Sequence, residues 1–183
     1  MITYIAILRG INVGGKRLIK MDALKAMCSR MGFQNIQTYI QSGNLIFQYQ
    51  KQDPIQLSKK IEQEIAEHFL FDVPVIVLEL EELDLLIANN PFGADTIKNT
   101  DFFHVTFLSD VPDVDLINVM TEVGYQDDEF YHVHKAIYLY CPNGYSNSKL
   151  TNGFIEKKLK VTATTRNWKT TKELQRIAVI SKV

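Results

Sequence analysis

The order in which apolar periodicities change along the chain constrains the fold more than any single motif. Residues 3–8 (TYIAIL) are a compact apolar run rich in β-branched and aromatic side chains, which predicts a buried strand. Asp22 opens a helix in which Leu24, Met27, Cys28 and Met31 recur at i, i+3, i+4 and i+7, and Gly32 ends it. Ile36, Thr38 and Ile40 alternate in one strand and Leu45, Phe47 and Tyr49 in the next, with Ser42-Gly43-Asn44 supplying the turn. Asp53-Pro54 starts a second helix, since Pro is tolerated in the first turn and Asp caps free amides; Leu57, Ile61, Ile65 and Phe69 then line one face. Residues 74–78 are again a short β-rich run. Residues 1–78 therefore read β-α-β-β-α-β, the order of a ferredoxin-like unit.

The order then restarts. Residues 79–90 predict a connecting helix with acids in its first turn and Pro91 beyond its end. A strand at 102–108 follows, then a helix at 112–122 closed by Gly124, a hairpin of 129–134 and 136–141, a helix at 148–159 and a short extended piece at 161–164. A last helix carries Leu174, Ile177 and Ala178 on its apolar side, with Thr170 and Glu173 spaced for a capping box. The expected fold is α+β: two ferredoxin-like units in tandem at 1–78 and 102–183, joined by a connecting helix and loop at 79–101, with a C-terminal helix.

Charge is unevenly placed. The net charge is -1, so nothing pulls the whole chain toward nucleic acid or an anionic surface, and any electrostatic function must come from distribution. Between Asp53 and Glu129 eighteen acids face only Lys59, Lys60 and Lys98. Arg9, Lys16, Arg17 and Lys20, by contrast, precede the first acid, Asp22. From Lys149 onward nine Lys or Arg face only Glu156 and Glu173. Cys28 and Cys141 form no C-x-x-C pair; two half-buried structural thiols suit a reducing cytoplasm. The amino-terminal apolar run lacks a basic region before it, and no apolar segment reaches the roughly 18 residues of a membrane helix, so a cytoplasmic protein without membrane association is expected.

The stretch RGINVGGKR (residues 9–17) resembles a phosphate-binding loop through Lys16, but Arg17 stands where that motif needs Ser or Thr to hold magnesium. A nucleotide hydrolase also needs the loop to lead straight into a helix under a parallel sheet, whereas here a hairpin follows soon after the first helix. The parts of an anion site remain. Gly10, Gly14 and Gly15 permit positive φ, so that successive amides can turn inward around Asn12, and Arg9, Lys16 and Arg17 add charge. A second candidate is Thr164-Thr165-Arg166-Asn167-Trp168-Lys169: small polar residues before a helix, an Arg suited to an anion, and a lone Trp able to stack on a ring.

Other constellations carry less. His132 and His134 lie two apart on a predicted strand, facing the same way, with no third metal ligand near them. His104 is on another strand, and Asp127-Asp128-Glu129 is consecutive rather than alternating, unlike a calcium loop. No metal or cofactor is expected. Neither cysteine shows an activating neighbour, and G-x-S-x-G is absent.

YIAILRGINVGGK, TYIQSGN, SNSKLTNGFIEKKL and ATTRNWKT taken together resemble the uncharacterised bacterial family DUF1697, over most of the chain. The resemblance implies an α+β fold of ferredoxin-like units and no particular activity.

The function expected is binding of an anionic or phosphorylated small molecule by Arg9, Gly10, Asn12, Gly14, Gly15, Lys16, Arg17 and Asn44, with Arg166, Asn167, Trp168 and Lys169 as a second group. One alternative is a nucleic-acid-binding module, although SGNLIFQY matches the RNA-binding strand signature only at Gly43 and Tyr49. Another is an acylphosphatase-like hydrolase, in which Arg9 or Arg17 grips phosphate and Asn44 positions water, an analogy of fold alone.

Overall fold

A computed structural model describes residues 1–181. The chain is of mixed α+β type. Its strands are β1 (Ile2–Leu8), β2 (Gln34–Tyr39), β3 (Asn44–Tyr49), β4 (Val75–Glu79), β5 (Phe103–Leu108), β6 (Glu129–Val133), β7 (Ala136–Tyr140) and β8 (Ala163–Asn167). Its helices are α1 (Met21–Arg30), α2 (Pro54–Phe69), α3 (Leu80–Ala88), α4 (Val114–Thr121), α5 (Asn152–Leu159) and α6 (Trp168–Ser181). The strands form two four-stranded antiparallel sheets, ordered β2-β3-β1-β4 and β6-β7-β5-β8. Contacts divide the chain into two compact units: Met1–Leu85 with the chain from Glu173 onward, and Leu86–Lys172.

Position in the sheet explains the sequence patterns. β1 and β5 are interior strands, and six of seven residues of β1 and five of six of β5 are buried, so both lose the alternation of a half-exposed strand. The edge strands β2 and β6 keep most of their polar residues in solvent. In the first unit Tyr4, Ala6, Leu8, Leu45, Phe47, Val75 and Val77 meet Leu24, Met27 and Cys28 of α1 and Leu57, Ile61 and Ile65 of α2. Phe33 stacks on Phe47 with ring centroids 4.1 Å apart. On the opposite face of the same sheet Gln48 Nε2 donates to the Ser181 carbonyl, bringing the end of α6 to β3. In the second unit Leu108, Ile137, Leu139 and Ala163 meet Ile117 and Met120 of α4 and Ile155 and Leu159 of α5.

Several local expectations hold in detail. Asp53 accepts a hydrogen bond from Ile55 N and caps α2 with Pro54 in its first turn, and Gly32 follows α1 with φ +83°. Others are corrected. The helix expected at 148–159 starts only at Asn152, because the Ser148 hydroxyl accepts from Leu150 N in a separate turn and Thr151 is the true cap. The strand expected at 161–164 is β8, which runs on to Asn167 and directly into α6. Thr170 and Glu173 therefore make no capping box at the start of α6: Thr170 is already inside the helix, and its amide donates to Asn167 Oδ1 at 2.8 Å. β6 ends at Val133, so His134, at φ +52°, sits in the turn and does not share a strand face with His132. Both cysteines are fully buried rather than half-buried. Burial pushes the Cys28 thiol up to about 12 and that of Cys141 up to about 11, which keeps both protonated at neutral pH.

Candidate functional site

The loop after β1 is a small, braced ribbon. Val13 and Lys16 form an antiparallel bridge, with Lys16 N donating to Val13 O at 3.1 Å and Asn12 N donating to Arg17 O at 3.2 Å. Gly14 and Gly15 form the tip with φ +58° and +73°, the two positive values that a tight type I′ ribbon turn requires. Asn12, itself at φ +55°, closes the base. Its Oδ1 accepts from Ile19 N at 2.9 Å, and its Nδ2 donates to the carbonyls of Ile19 and Gln41 at 3.0 and 2.8 Å. One side chain thus holds both ends of the loop and ties it to the turn between β2 and β3.

That turn fits closely. Leu8 N donates to Gly43 O at 2.8 Å, and a methyl group on Gly43 would lie 2.7 Å from Leu8 Cβ and 2.8 Å from Ile11 Cδ1. Asn44 is fully buried at the start of β3, with Nδ2 donating to Tyr39 O and Ser42 Oγ. It braces the hairpin and presents no surface on which a solvent-borne water could be positioned, the role that a phosphatase would ask of it.

Charge gathers on this ribbon. Lys16, Arg17 and Lys20 are exposed and Arg9 is half-buried. Among the described residues no carboxylate pairs with Lys16, Arg17 or Lys20. One Arg17 terminal nitrogen lies 3.6 Å from the place that a β-carbon on Gly10 would occupy, so the guanidinium folds over the glycine backbone. Three features escape the sequence reading: the braces offered by Ile19 and Gln41, the exposed aliphatic side chains of Val13, Leu18 and Ile40, and the positive φ (+52°) of Ile40. A β-branched residue with positive φ is strained, and no periodicity reveals it.

The second candidate segment belongs to the second unit. Arg166 pairs with Val105 across the β5–β8 ladder, and its Nη1 donates to Thr165 O at 2.9 Å and Thr164 Oγ1 at 3.2 Å. Desolvation pulls its pKa down to about 10, which still leaves it cationic at neutral pH. Asn167 is engaged as the cap of α6, Trp168 is its half-buried first residue, and Lys169 is exposed. The preceding strand residue, Thr165, has Oγ1 2.7 Å from Thr106 Oγ1, accepting from Tyr145 at 3.1 Å and donating to Asn152 at 2.6 Å. The structure thus gathers Arg9, Gly10, Asn12, Gly14, Gly15, Lys16, Arg17 and Asn44 at one end of the first sheet, and Arg166, Asn167, Trp168 and Lys169 at the β8–α6 corner.

His104 stacks on Tyr145 at 4.9 Å, with Nδ1 3.2 Å from Phe102 O. Burial lowers its pKa from 6.5, so the native state takes up its proton later than the unfolded chain does. Stability should therefore fall as pH drops through 6.5 and level off below the depressed native value. His104→Gln should flatten that part of the unfolding profile, measured as urea midpoints across mildly acid pH; an unchanged slope would show that His104 is not the titrating group. His132 Nε2 is 2.7 Å from His134 O, inside its own turn. Among the described residues no three His, Cys, Asp or Glu side chains converge on a metal-sized position.

Fold and loop together define an α+β protein with two four-stranded antiparallel sheets and a braced cationic glycine ribbon on the first. The chain belongs to the DUF1697 family, described as proteins of unknown function, whose family model matches residues 1–138. The SNSKLTNGF and ATTRNWKT blocks lie beyond the matched range. A solved structure, that of the conserved bacterial protein SP0830 from Streptococcus pneumoniae, is similar with a TM-score of 0.76 and 25% identity, covering 97% of this chain and 98% of that one. No curated protein matches. Among the described residues no helix is long and apolar enough to cross a membrane.

Proposed function

We propose that this protein binds an anionic, phosphate-bearing ligand on the glycine ribbon of its first unit. The observation that carries the reading is the combination of exposed, unpaired Lys16 and Arg17 with a backbone held in place by Asn12. A preorganised loop loses little entropy on binding, whereas an unbraced glycine connector must be ordered by its ligand. Arg166 and Lys169 form a second cationic group, secondary because Asn167 already satisfies an amide at the start of α6. A nucleic-acid module is the alternative, resting on the basic tail and the half-buried Trp168, although the exposed apolar side chains beside the ribbon are aliphatic and offer no stacking platform.

The strand order β2-β3-β1-β4, repeated as β6-β7-β5-β8, supports reading each half as a ferredoxin-like unit. Two buried free thiols suit a reducing compartment, and we place the protein in the cytoplasm.

A ligand that binds only the folded state stabilises it by about 2.7 kcal/mol at a hundred times its Kd. In a thermal-shift panel of inorganic pyrophosphate, nucleotides and phosphorylated metabolites, at least one member should raise the melting temperature of the wild-type protein. Lys16→Glu/Arg17→Glu should abolish that rise while changing ligand-free stability by under about 0.5 kcal/mol, as expected for exposed positions. A panel without effect, or an equal rise in the double variant, would sink the proposal.

A further inference from the structure

The side chains that surround the ribbon say what kind of anion it meets. Val13, Leu18 and Ile40 are 64%, 67% and 49% exposed. All three are large and apolar, and each is adjacent in sequence to Asn12, Ile19 or Gln41, the three residues joined by the Asn12 side chain, so their backbone positions are tied together. Ile40 also holds a positive φ of +52°, a backbone state that Asn or Gly would occupy with less strain. An aliphatic, β-branched residue kept exposed at a strained turn serves neither the core nor the turn. Lys16 and Arg17 lie between Val13 and Leu18 in the chain and Lys20 two residues beyond Leu18, with no acid in the first 21 residues.

We infer that the ribbon docks on an anionic lipid surface, with Val13, Leu18 and Ile40 entering the headgroup boundary and Lys16, Arg17 and Lys20 on lipid phosphates. This inference rests on the anion-binding reading of the same loop and names its partner. Charge complementarity and chemistry both select a bilayer. Aliphatic side chains gain from leaving water for the acyl boundary, while neighbouring cations gain from the surface potential. A nucleic acid would ask for aromatic or hydrogen-bonding side chains at the three positions.

The test uses the full chain and vesicles of equal parts phosphatidylglycerol and phosphatidylcholine, with pure phosphatidylcholine vesicles, inorganic pyrophosphate and a single-stranded oligonucleotide as separate arms. Wild-type protein should co-sediment with the anionic vesicles and leave the neutral ones in solution. Ile40→Asn should weaken vesicle binding about tenfold or more, the effect of withdrawing one buried aliphatic side chain, while its melting temperature stays equal to or above that of wild type and pyrophosphate still binds. Lys16→Glu/Arg17→Glu should lose vesicles and pyrophosphate together. Wild-type protein that binds pyrophosphate but no anionic vesicle would overturn the lipid inference alone, and so would Ile40→Asn binding vesicles as wild type does. Preference for the oligonucleotide over vesicles would overturn it in favour of nucleic acid. Binding in no arm would remove the anion reading as well.

Discussion

Gly43→Ala should lower the stability of the first unit by about 3 kcal/mol and abolish ligand binding at the ribbon. Two effects add. The residue sits at φ +79°, where an L side chain costs about 1–2 kcal/mol. The new methyl group would also lie 2.7 Å from Leu8 Cβ and 2.8 and 2.9 Å from two carbons of Ile11, closer than carbon atoms approach, so the β2–β3 turn must move outward. That movement pulls on the Leu8 N to Gly43 O hydrogen bond and carries the Gln41 carbonyl away from Asn12. Urea unfolding should show the lower midpoint with an unchanged slope, and the thermal response to pyrophosphate should vanish. A loss below about 1 kcal/mol would show that the turn yields freely and does not hold the ribbon.

Asn12→Ala should cost about 2–3 kcal/mol, large for a half-buried loop position. Three hydrogen bonds disappear, each contributing about 1 kcal/mol or less where water can replace it. Alanine must also adopt φ +55°, which glycine and asparagine tolerate and alanine does not. Asn12→Gly separates the two terms. It removes the same bonds but relieves the backbone, so it should recover about 1 kcal/mol of the loss and no more. Hydrogen exchange at the Ile19 amide, which donates to Asn12 Oδ1, should accelerate equally in both variants. Wild-type stability in Asn12→Gly would mean that the bonds contribute nothing and that only the backbone conformation matters.

The interior strands and helix faces were legible because burial on a regular element imposes a period. β1 and β5 read as apolar runs, and Leu24, Met27, Leu57, Ile61 and Ile65 read as helix stripes. Junctions were less legible, because their conformations rest on single hydrogen bonds. Ser148 and Thr151 are both good caps by composition, and only the Ser148 bond to Leu150 N decides that α5 begins after the second. Asn167 ends β8 and caps α6 at once, a fusion of two elements that no spacing rule anticipates. Leu70 and Lys160 occupy left-handed helix ends without glycine, so those stops carried no sequence signal beyond a fading apolar stripe.

In the candidate site the glycines and cations were visible as a motif, yet Asn12 and Asn44 looked like ligand groups when their side chains brace the backbone. Asparagine offers a donor and an acceptor to either task, and what decides between them is the distance to Ile19, Gln41, Tyr39 and Ser42. Those distances arise from the fold. Val13 and Leu18 were hidden because an apolar residue in a short loop reads as core unless the chain around it is known to leave it in solvent, whereas Ile40, expected to alternate within the second strand, lies beyond the end of β2 at Tyr39, exposed in the turn at φ +52°.

The most direct test of the ribbon as an anion site is a titration of isotope-labelled protein with inorganic pyrophosphate, followed by amide NMR. Saturable shifts should concentrate on the amides of residues 10–18, with one dissociation constant common to all of them, and should disappear in Lys16→Glu/Arg17→Glu. Shifts that fail to saturate, or that centre on the start of α6 while residues 10–18 stay in place, would contradict it.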